Sequence, residues 1–273
     1  MKINVLGALS AEANGIPIVP SAGKPCQILA LLALHPGRIV PVPTLMEEIW
    51  GTELPKSSST TLQTYILQLR RKLGTALGPD APGSAKDVLA TRYGGYLLQV
   101  PAEAVDAYRF ERLAAEGRQA FEHGQDDRAA VLLREALDLW QGPALVDVCA
   151  GPILEIEVMR LEQSRLVTHE RRIDADLRLG RHVEVISELV YLTARHPLHE
   201  GLHSQAMVAM YRSGRQAAAV DVYLGLRRRL VHECGVDPSP QLQRMYQAML
   251  SVDPRLELVA GTRPTSTFDL YAA

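Results

Sequence analysis

The segment Pro55 to Gly74, PKSSSTTLQTYILQLRRKLG, constrains the fold more than any other, because its two helical faces are chemically separate. Leu62, Ile66, Leu69 and Leu73 recur at helical spacing with Tyr65 beside them, forming one apolar stripe for burial. The opposite stripe carries Thr60, Thr64, Leu67 and Arg71, with Gln68 next to it and Arg70 and Lys72 at its flanks. Pro55 disfavours helical geometry in the residue before it, so the helix starts no earlier than Lys56. Its cap is Ser57 or Thr60, with Gln63 completing a capping box. A hairpin follows. Val88 to Tyr93 and Tyr96 to Val100 are β-prone runs joined by Gly94-Gly95, a pair whose freedom at positive φ suits a type I′ turn, and Arg92 sits close to the tip.

Upstream, Lys2 to Leu6 alternates polar and apolar, and Ile16 to Val19 is a second β-prone run, separated from it by the hairpin signal Asn14-Gly15. A helix from Lys24 carries Ile28, Leu29, Leu31, Leu32 and Leu34 and ends at His35-Pro36-Gly37. Another spans Val42 to Trp50, with Pro43 in its first turn and Gly51 at its stop. A small sheet, three helices and a hairpin make a winged helix-turn-helix, a fold that reads duplex DNA. In that setting Gln68 and Arg71 hydrogen-bond base edges, Arg70 and Lys72 reach phosphates, and Arg92 enters the minor groove or clamps a phosphate. Thr60, Thr61, Thr64 and Thr91 complete the predicted DNA-facing set. Leu67 has two readings that stay open: contact with a thymine methyl, or packing beneath a neighbouring loop.

Charge is informative when it is divided. The formal net charge is −2, yet residues 1–100 hold nine Lys and Arg against six Asp and Glu, and all five lysines. The remainder holds 20 against 25. A modestly basic half beside an acidic half fits a DNA-binding module joined to a protein-interaction module, although +3 is also within ordinary fluctuation.

From Asp106 to Leu250 no alternating strand is found, and the pattern becomes helix, Gly-centred turn, helix. The turns EHGQDDRAA, RLGRHVEVI and RSGRQAAAV resemble one another. Their glycines are Gly124, Gly180 and Gly214, and the last two are 34 residues apart, the period of a tetratricopeptide helix pair. The longer first interval holds an insertion around Trp140 to Pro143 and Cys149 to Pro152. Seven helices fit, and stacked pairs of this kind present concave surfaces for protein partners. The reading divides the chain into a DNA-binding domain at 1–100, an all-α tetratricopeptide-like domain at 101–251 and a tail at 252–273, partly mobile or packed back on a domain. The fold class is α+β and mostly α.

His199-Glu200-Gly201-Leu202-His203 spells the zinc-protease pattern HExxH. It falls at the start of a repeat helix after Pro197, where His and Glu are ordinary surface residues, and no third ligand stands out, so a zinc hydrolase is a distant alternative. Gly23-Lys24 lacks the first glycine of a phosphate-binding loop, and no G-x-S-x-G elbow occurs. Cys26, Cys149 and Cys234 lie far apart and are expected to be small buried side chains, with a reactive thiol as the minor alternative. No cofactor and no catalytic residue is expected. No apolar run is long enough to span a bilayer and the start lacks a secretory signal, so a cytoplasmic location is expected and no membrane partner.

The chain resembles the Streptomyces antibiotic regulatory protein family over residues 1–250. The resemblance rests on INVLG, ALLALHPGRIVP, EEIWG, TLQTYILQLRRKLG and RYGGYLL in the first half. In the second it rests on ALDLWQGPAL, RHPLHE, LHSQAM, YRSGRQAAAV and ECGVDPSPQL. It implies an OmpR-like winged helix joined to a bacterial transcriptional activation domain. It also implies an activator of antibiotic gene clusters that binds direct repeats, with copies packed head to tail, and recruits RNA polymerase holoenzyme through its sigma and alpha subunits. With the DNA-binding part read from the first residue, no phosphoacceptor domain is expected before it. By the resemblance, DNA contacts fall on Thr64, Leu67, Gln68, Arg70 and Arg92, whereas helical spacing favours Arg71 over Arg70; both are retained. Leu67 and Gln68 replace positions often basic in response regulators, so base preference does not transfer. The resemblance also implies that the loop from Thr52 to Ser57, with Glu53 and Lys56, faces polymerase. The alternative from another class is a helical-repeat scaffold or adaptor that binds no DNA.

Overall fold

Three short strands open the chain: β1 (Lys2–Asn4), β2 (Ser10–Ala13) and β3 (Ile16–Pro17), antiparallel in the order β1-β2-β3. A computed structural model of the chain describes residues 1–79, 83–253 and 256. Asn14 and Gly15 both have positive φ, 52° and 77°, and form the tight turn between β2 and β3. The expected pairing of Lys2–Leu6 with Ile16–Val19 is corrected by an intervening strand. Ser10–Ala13 carries few β-prone side chains and is a strand because Ile3 pairs with Ala11 across the sheet.

Three helices follow in the chain, α1 (Gly23–Ala33), α2 (Val42–Trp50) and α3 (Ser58–Leu77). Ile28 through Ala33 are buried without interruption, so α1 is the central helix. Leu62, Ile66, Leu69 and Leu73 of α3 are buried as the spacing predicted, and Ala76 extends the stripe. Ser57 stands at the N-cap of α3 without a side-chain cap bond; its carbonyl instead accepts from both the amide and the hydroxyl of Thr61. A one-turn helix α4 (Ala85–Val88), closed by a Ser84–Asp87 capping box, leads into β5 (Leu89–Arg92) and β6 (Gly95–Leu98). These form a second sheet with β4 (Ile39–Pro41), in the order β4-β6-β5.

A 3₁₀ turn at Ala102–Ala104 precedes seven α-helices among the described residues. They are α5 (Asp106–Glu122), α6 (Asp126–Leu137), α7 (Pro152–Arg178), α8 (His182–Arg195), α9 (Glu200–Arg212), α10 (Gln216–Arg229) and α11 (Pro240–Leu250). The turn glycines Gly124, Gly180 and Gly214 have φ of 70°, 79° and 76°, a left-handed conformation that ends one helix so that the next can fold back. A π-helical turn, Leu230–Cys234, follows α10. The tail beyond Asp253, with Pro254 and Pro264, lies outside the described residues except for Leu256, which is buried.

Contacts divide the chain into two compact units, residues 1–113 with 135–166, and residues 114–134 with 167–273. In the first unit the segment between α6 and α7 adds backbone bonds to the end of β1. Gln141 N donates to Leu6 O at 2.8 Å, Leu145 N donates to Val5 O at 3.0 Å, and Asp147 accepts from Leu9 N at 2.7 Å. Asp106 accepts from the amides of Val5 and Leu6 at 2.8 and 3.1 Å. Its burial raises the carboxyl pKa while those amide bonds oppose the rise. Phe110 meets Trp140 edge to face at 5.4 Å, and the Arg165 guanidinium covers Trp140 at 4.5 Å.

The second unit has an apolar cluster built from Met207, Val208, Tyr223, Leu226, Leu242, Met245 and Met249, with Tyr223 stacked on Tyr246 at 4.0 Å. The same unit has a charged centre. Asp176, its side chain 2% exposed, accepts from Arg172 at 2.6 Å, Arg181 at 3.0 Å and Arg134 at 3.3 Å. Arg172 also pairs with Glu188, which His169 contacts at 2.8 Å. The expectation of buried cysteines is corrected: Cys149 and Cys234 are exposed and Cys26 is half-buried. Cys149 stands just before α7 and Cys234 at the end of the π-helical turn, where neither joins an apolar face.

Candidate nucleic-acid interface

Burial of one stripe of α3 leaves the other free, since side chains four residues apart share a helical face. Thr60, Thr64, Gln68, Arg71 and Lys72 are exposed, Leu67 is 48% exposed, and Thr61 is half-buried. About half of the Leu67 surface is therefore open to a ligand. Three threonine hydroxyls turn back onto the helix. Thr61 donates to Ser57 O at 3.0 Å, Thr64 to Thr60 O at 3.1 Å and Thr75 to Arg71 O at 3.1 Å. With the hydroxyls donating inward, Thr64 adds hydroxyl acceptor capacity and a methyl group to the surface around Leu67.

The hairpin of β5 and β6 is the wing. Arg92 pairs with Gly95, so the turn residues are Tyr93 and Gly94. Gly94 has φ of 78° while Tyr93 keeps a negative φ, which corrects the expected type I′ turn at Gly94-Gly95. Gly95 lies one position later, in β6, for a different reason. A Cβ there would stand 2.3 Å from the Val40 carbonyl oxygen, because β4 passes against it. Thr91 and Arg92 are exposed near the tip, and Tyr93 is fully exposed at 104%. Tyr93 was missed in the sequence, where it reads as an ordinary β-prone residue.

Arg70 stands apart from the other predicted residues. It is half-buried, and its Nε and Nη2 donate to Leu89 O at 2.9 and 2.7 Å. The same Nη2 donates to Thr91 Oγ1 at 2.8 Å.

Glu48 was also missed. It is 1% exposed on α2, and its carboxylate accepts from the amides of Gly151, Ile153 and Leu154 at 2.6, 3.0 and 2.9 Å. It therefore serves as a cap from another element for the first turn of α7, where unpaired amides and the helix dipole favour an anion. Burial raises its pKa, and the three amide bonds oppose the rise. Trp50 at the end of α2 stacks on Tyr65 at 6.5 Å, with Lys24 Nζ 5.2 Å from its ring, so α1, α2 and α3 are tied together under the exposed stripe.

Two families match this chain: transcriptional regulatory protein, C terminal, over residues 19–98, and bacterial transcriptional activator domain over residues 105–250. The regulatory protein DnrI of Streptomyces peucetius is 54% identical over 257 residues, which cover 94% of each chain. The chain belongs to the Streptomyces antibiotic regulatory protein family. The regulatory protein AfsR of Streptomyces coelicolor is 40% identical over all of this chain, which spans about a quarter (26%) of AfsR. The solved structure of Mycobacterium tuberculosis EmbR in complex with a low-affinity phosphopeptide has a TM-score of 0.85 at 30% identity. It covers 93% of this chain and 65% of that one. The chain shares its architecture, a winged helix followed by a helical domain.

The HExxH residues have structural partners of their own. His199 is the N-cap of α9, its Nδ1 accepting from Leu202 N at 3.4 Å, so it lies outside the helix on which a metal pair would need it. His203 is buried with Nδ1 bonded to His199 O at 3.0 Å, and Glu200 accepts from Ser239 N at 3.1 Å with both carboxylate oxygens. No group of three or more His, Cys, Asp or Glu side chains placed to hold a metal ion occurs among the described residues. No described helix is long and apolar enough to cross a membrane.

Proposed function

We propose that this chain is a sequence-specific DNA-binding activator of a secondary-metabolite gene cluster, binding direct repeats near the promoter and recruiting RNA polymerase holoenzyme. The observation that carries the reading is the exposed stripe of α3 beside a wing tip formed by Thr91, Arg92 and Tyr93. Gln68 and Arg71 supply hydrogen-bonding groups for base edges, and Leu67 supplies an apolar contact for a thymine methyl. Lys72 supplies charge for the phosphate backbone, and Arg92 serves the minor groove or a phosphate from the wing. Thr60, Thr61 and Thr64 line the approach to these groups.

Direct repeats place successive copies in one orientation, so contacts between copies are head to tail rather than two-fold. The helical array supplies surfaces for a second copy and for the sigma and alpha subunits of polymerase, with the chain acting in the cytoplasm. Run-off transcription on a promoter recovered by genome-wide mapping of the chain's DNA sites tests the reading. Transcript rising with added protein is the expected result. Binding that leaves transcription unchanged or lowers it removes the activator assignment, and absence of duplex binding removes the whole reading.

A further inference from the structure

We propose that Arg70 is a positioning residue that sets the wing against the recognition helix rather than a contact to the phosphate backbone. The inference rests on the proposed DNA-binding role of α3 and the wing. Three hydrogen bonds from one guanidinium, two to the Leu89 carbonyl and one to the Thr91 hydroxyl, join the middle of α3 to both ends of the Leu89–Thr91 stretch. Among the described residues β5 is an edge strand, held on one side by β6 and without a strand on the other, so Arg70 supplies a second attachment. The next residue in the chain, Arg92, carries the wing's charge; its Nη1 donates to the neighbouring Thr91 carbonyl at 3.3 Å, and Asp87 before β5 attracts it electrostatically. The aim of Arg92 is therefore set by where β5 is held. The exposed cations Arg71 and Lys72 remain available on α3 for DNA, whereas the Nε and Nη2 donors of Arg70 are directed into the protein.

The chemistry requires arginine. A planar guanidinium presents Nε and Nη2 in a fixed fork to one carbonyl while the same Nη2 reaches the hydroxyl, and a lysine ammonium on a flexible stem does not reproduce that geometry. A phosphate contact would tolerate the exchange better, because a phosphate also accepts a point charge. The two roles therefore differ in how they respond to a conservative change and in how they combine with loss of Arg92.

The experiment measures affinity of the full chain for a fluorescent duplex enriched by the wild-type protein from a random library, over a series of salt concentrations. The variants are Arg70→Ala, Arg70→Lys, Thr91→Val, Arg92→Ala and the Arg70→Ala/Arg92→Ala pair, each checked for an unchanged melting transition. Positioning predicts that Arg70→Ala and Arg70→Lys both lose roughly tenfold in affinity, the worth of a few charge-assisted hydrogen bonds. Thr91→Val, which removes only one bond, loses less. The paired variant binds no more weakly than Arg92→Ala alone and shows the same salt slope, since a wing without Arg92 gains nothing from being aimed. Rescue by Arg70→Lys overturns the proposal. So does an additive loss in the pair, with the salt slope falling by about 0.9 beyond that of Arg92→Ala. If Arg70→Ala lowers the melting transition, Thr91→Val and its pair with Arg92→Ala decide by the same comparison. Failure of the wild-type chain to enrich any duplex would instead remove the DNA-binding reading itself.

Discussion

Each compact unit has a nearly inaccessible carboxylate, Glu48 in the first and Asp176 in the second, and the two are used in opposite ways. Glu48 in the first unit receives neutral backbone amides from residues 103 to 106 positions away, and so fixes a helix start that local sequence does not specify. Asp176 in the second receives arginines, two of them four and five positions away and the third 42 away, and so reinforces the stacking of repeat helices. The contrast separates two tasks. The first unit must hold an α3 stripe and a wing in one geometry, which directional bonds to backbone achieve. The second must stack similar helix pairs, which short-range charge and a shared apolar face achieve.

Asp176→Ala gives the largest effect. It leaves the buried Arg172 with Glu188 as its remaining carboxylate partner, and loss of one member of a buried pair costs about 3–5 kcal/mol. Arg134 and Arg181 are 50% and 38% exposed, so solvent screens their share, and the lower end is expected in chemical denaturation. A loss below about 1 kcal/mol would show that the charged centre is incidental to the second unit.

Glu48→Ala should cost about 3 kcal/mol by stranding amides at the start of α7, with Glu48→Gln intermediate because its oxygen still accepts. Hydrogen exchange then distinguishes the units. Amides of Gly151, Ile153 and Leu154 should lose protection, while those of α9 and α10 keep theirs. Equal loss in both units would end that division of tasks.

Lys72→Ala should leave stability within about 0.5 kcal/mol, as for other exposed substitutions, and weaken duplex binding uniformly across sequences. Its salt slope should fall by about 0.9. An unchanged slope would move Lys72 out of the proposed interface.

The smallest effect is one of pH. Burial lowers the pKa of His203 below its ordinary value of 6.5. The unfolded chain therefore binds a proton as pH falls through 6.5, before the folded chain does, and stability declines in that window. The slope is bounded by about 1.4 kcal/mol per pH unit, and His203→Gln should reduce it. A slope unaltered by that change would assign the acid sensitivity elsewhere.

Much of the helical half was legible. Gly124, Gly180 and Gly214 mark real left-handed turns between helices, because helix and turn depend on neighbours a few residues apart. The α3 stripe was legible for the same reason. β2 and β4 were not, since Ser10–Ala13 and Ile39–Pro41 are strands only through partners supplied by β1 and β6. The wing turn slipped by one residue because a pair of adjacent glycines does not say which serves the turn and which yields space to β4.

The sequence by itself determined which face of α3 is apolar, where the repeat helices break, and which family the chain resembles. Those properties are written in local spacing and in residue identity. Only the tertiary structure decided that Arg70 ties α3 to the wing, that Glu48 caps α7, and that Gly95 makes room for Val40. The partners in these contacts lie 19 to 106 residues apart, and a hydrogen bond or a steric limit between such residues exists only once the chain has brought them within reach.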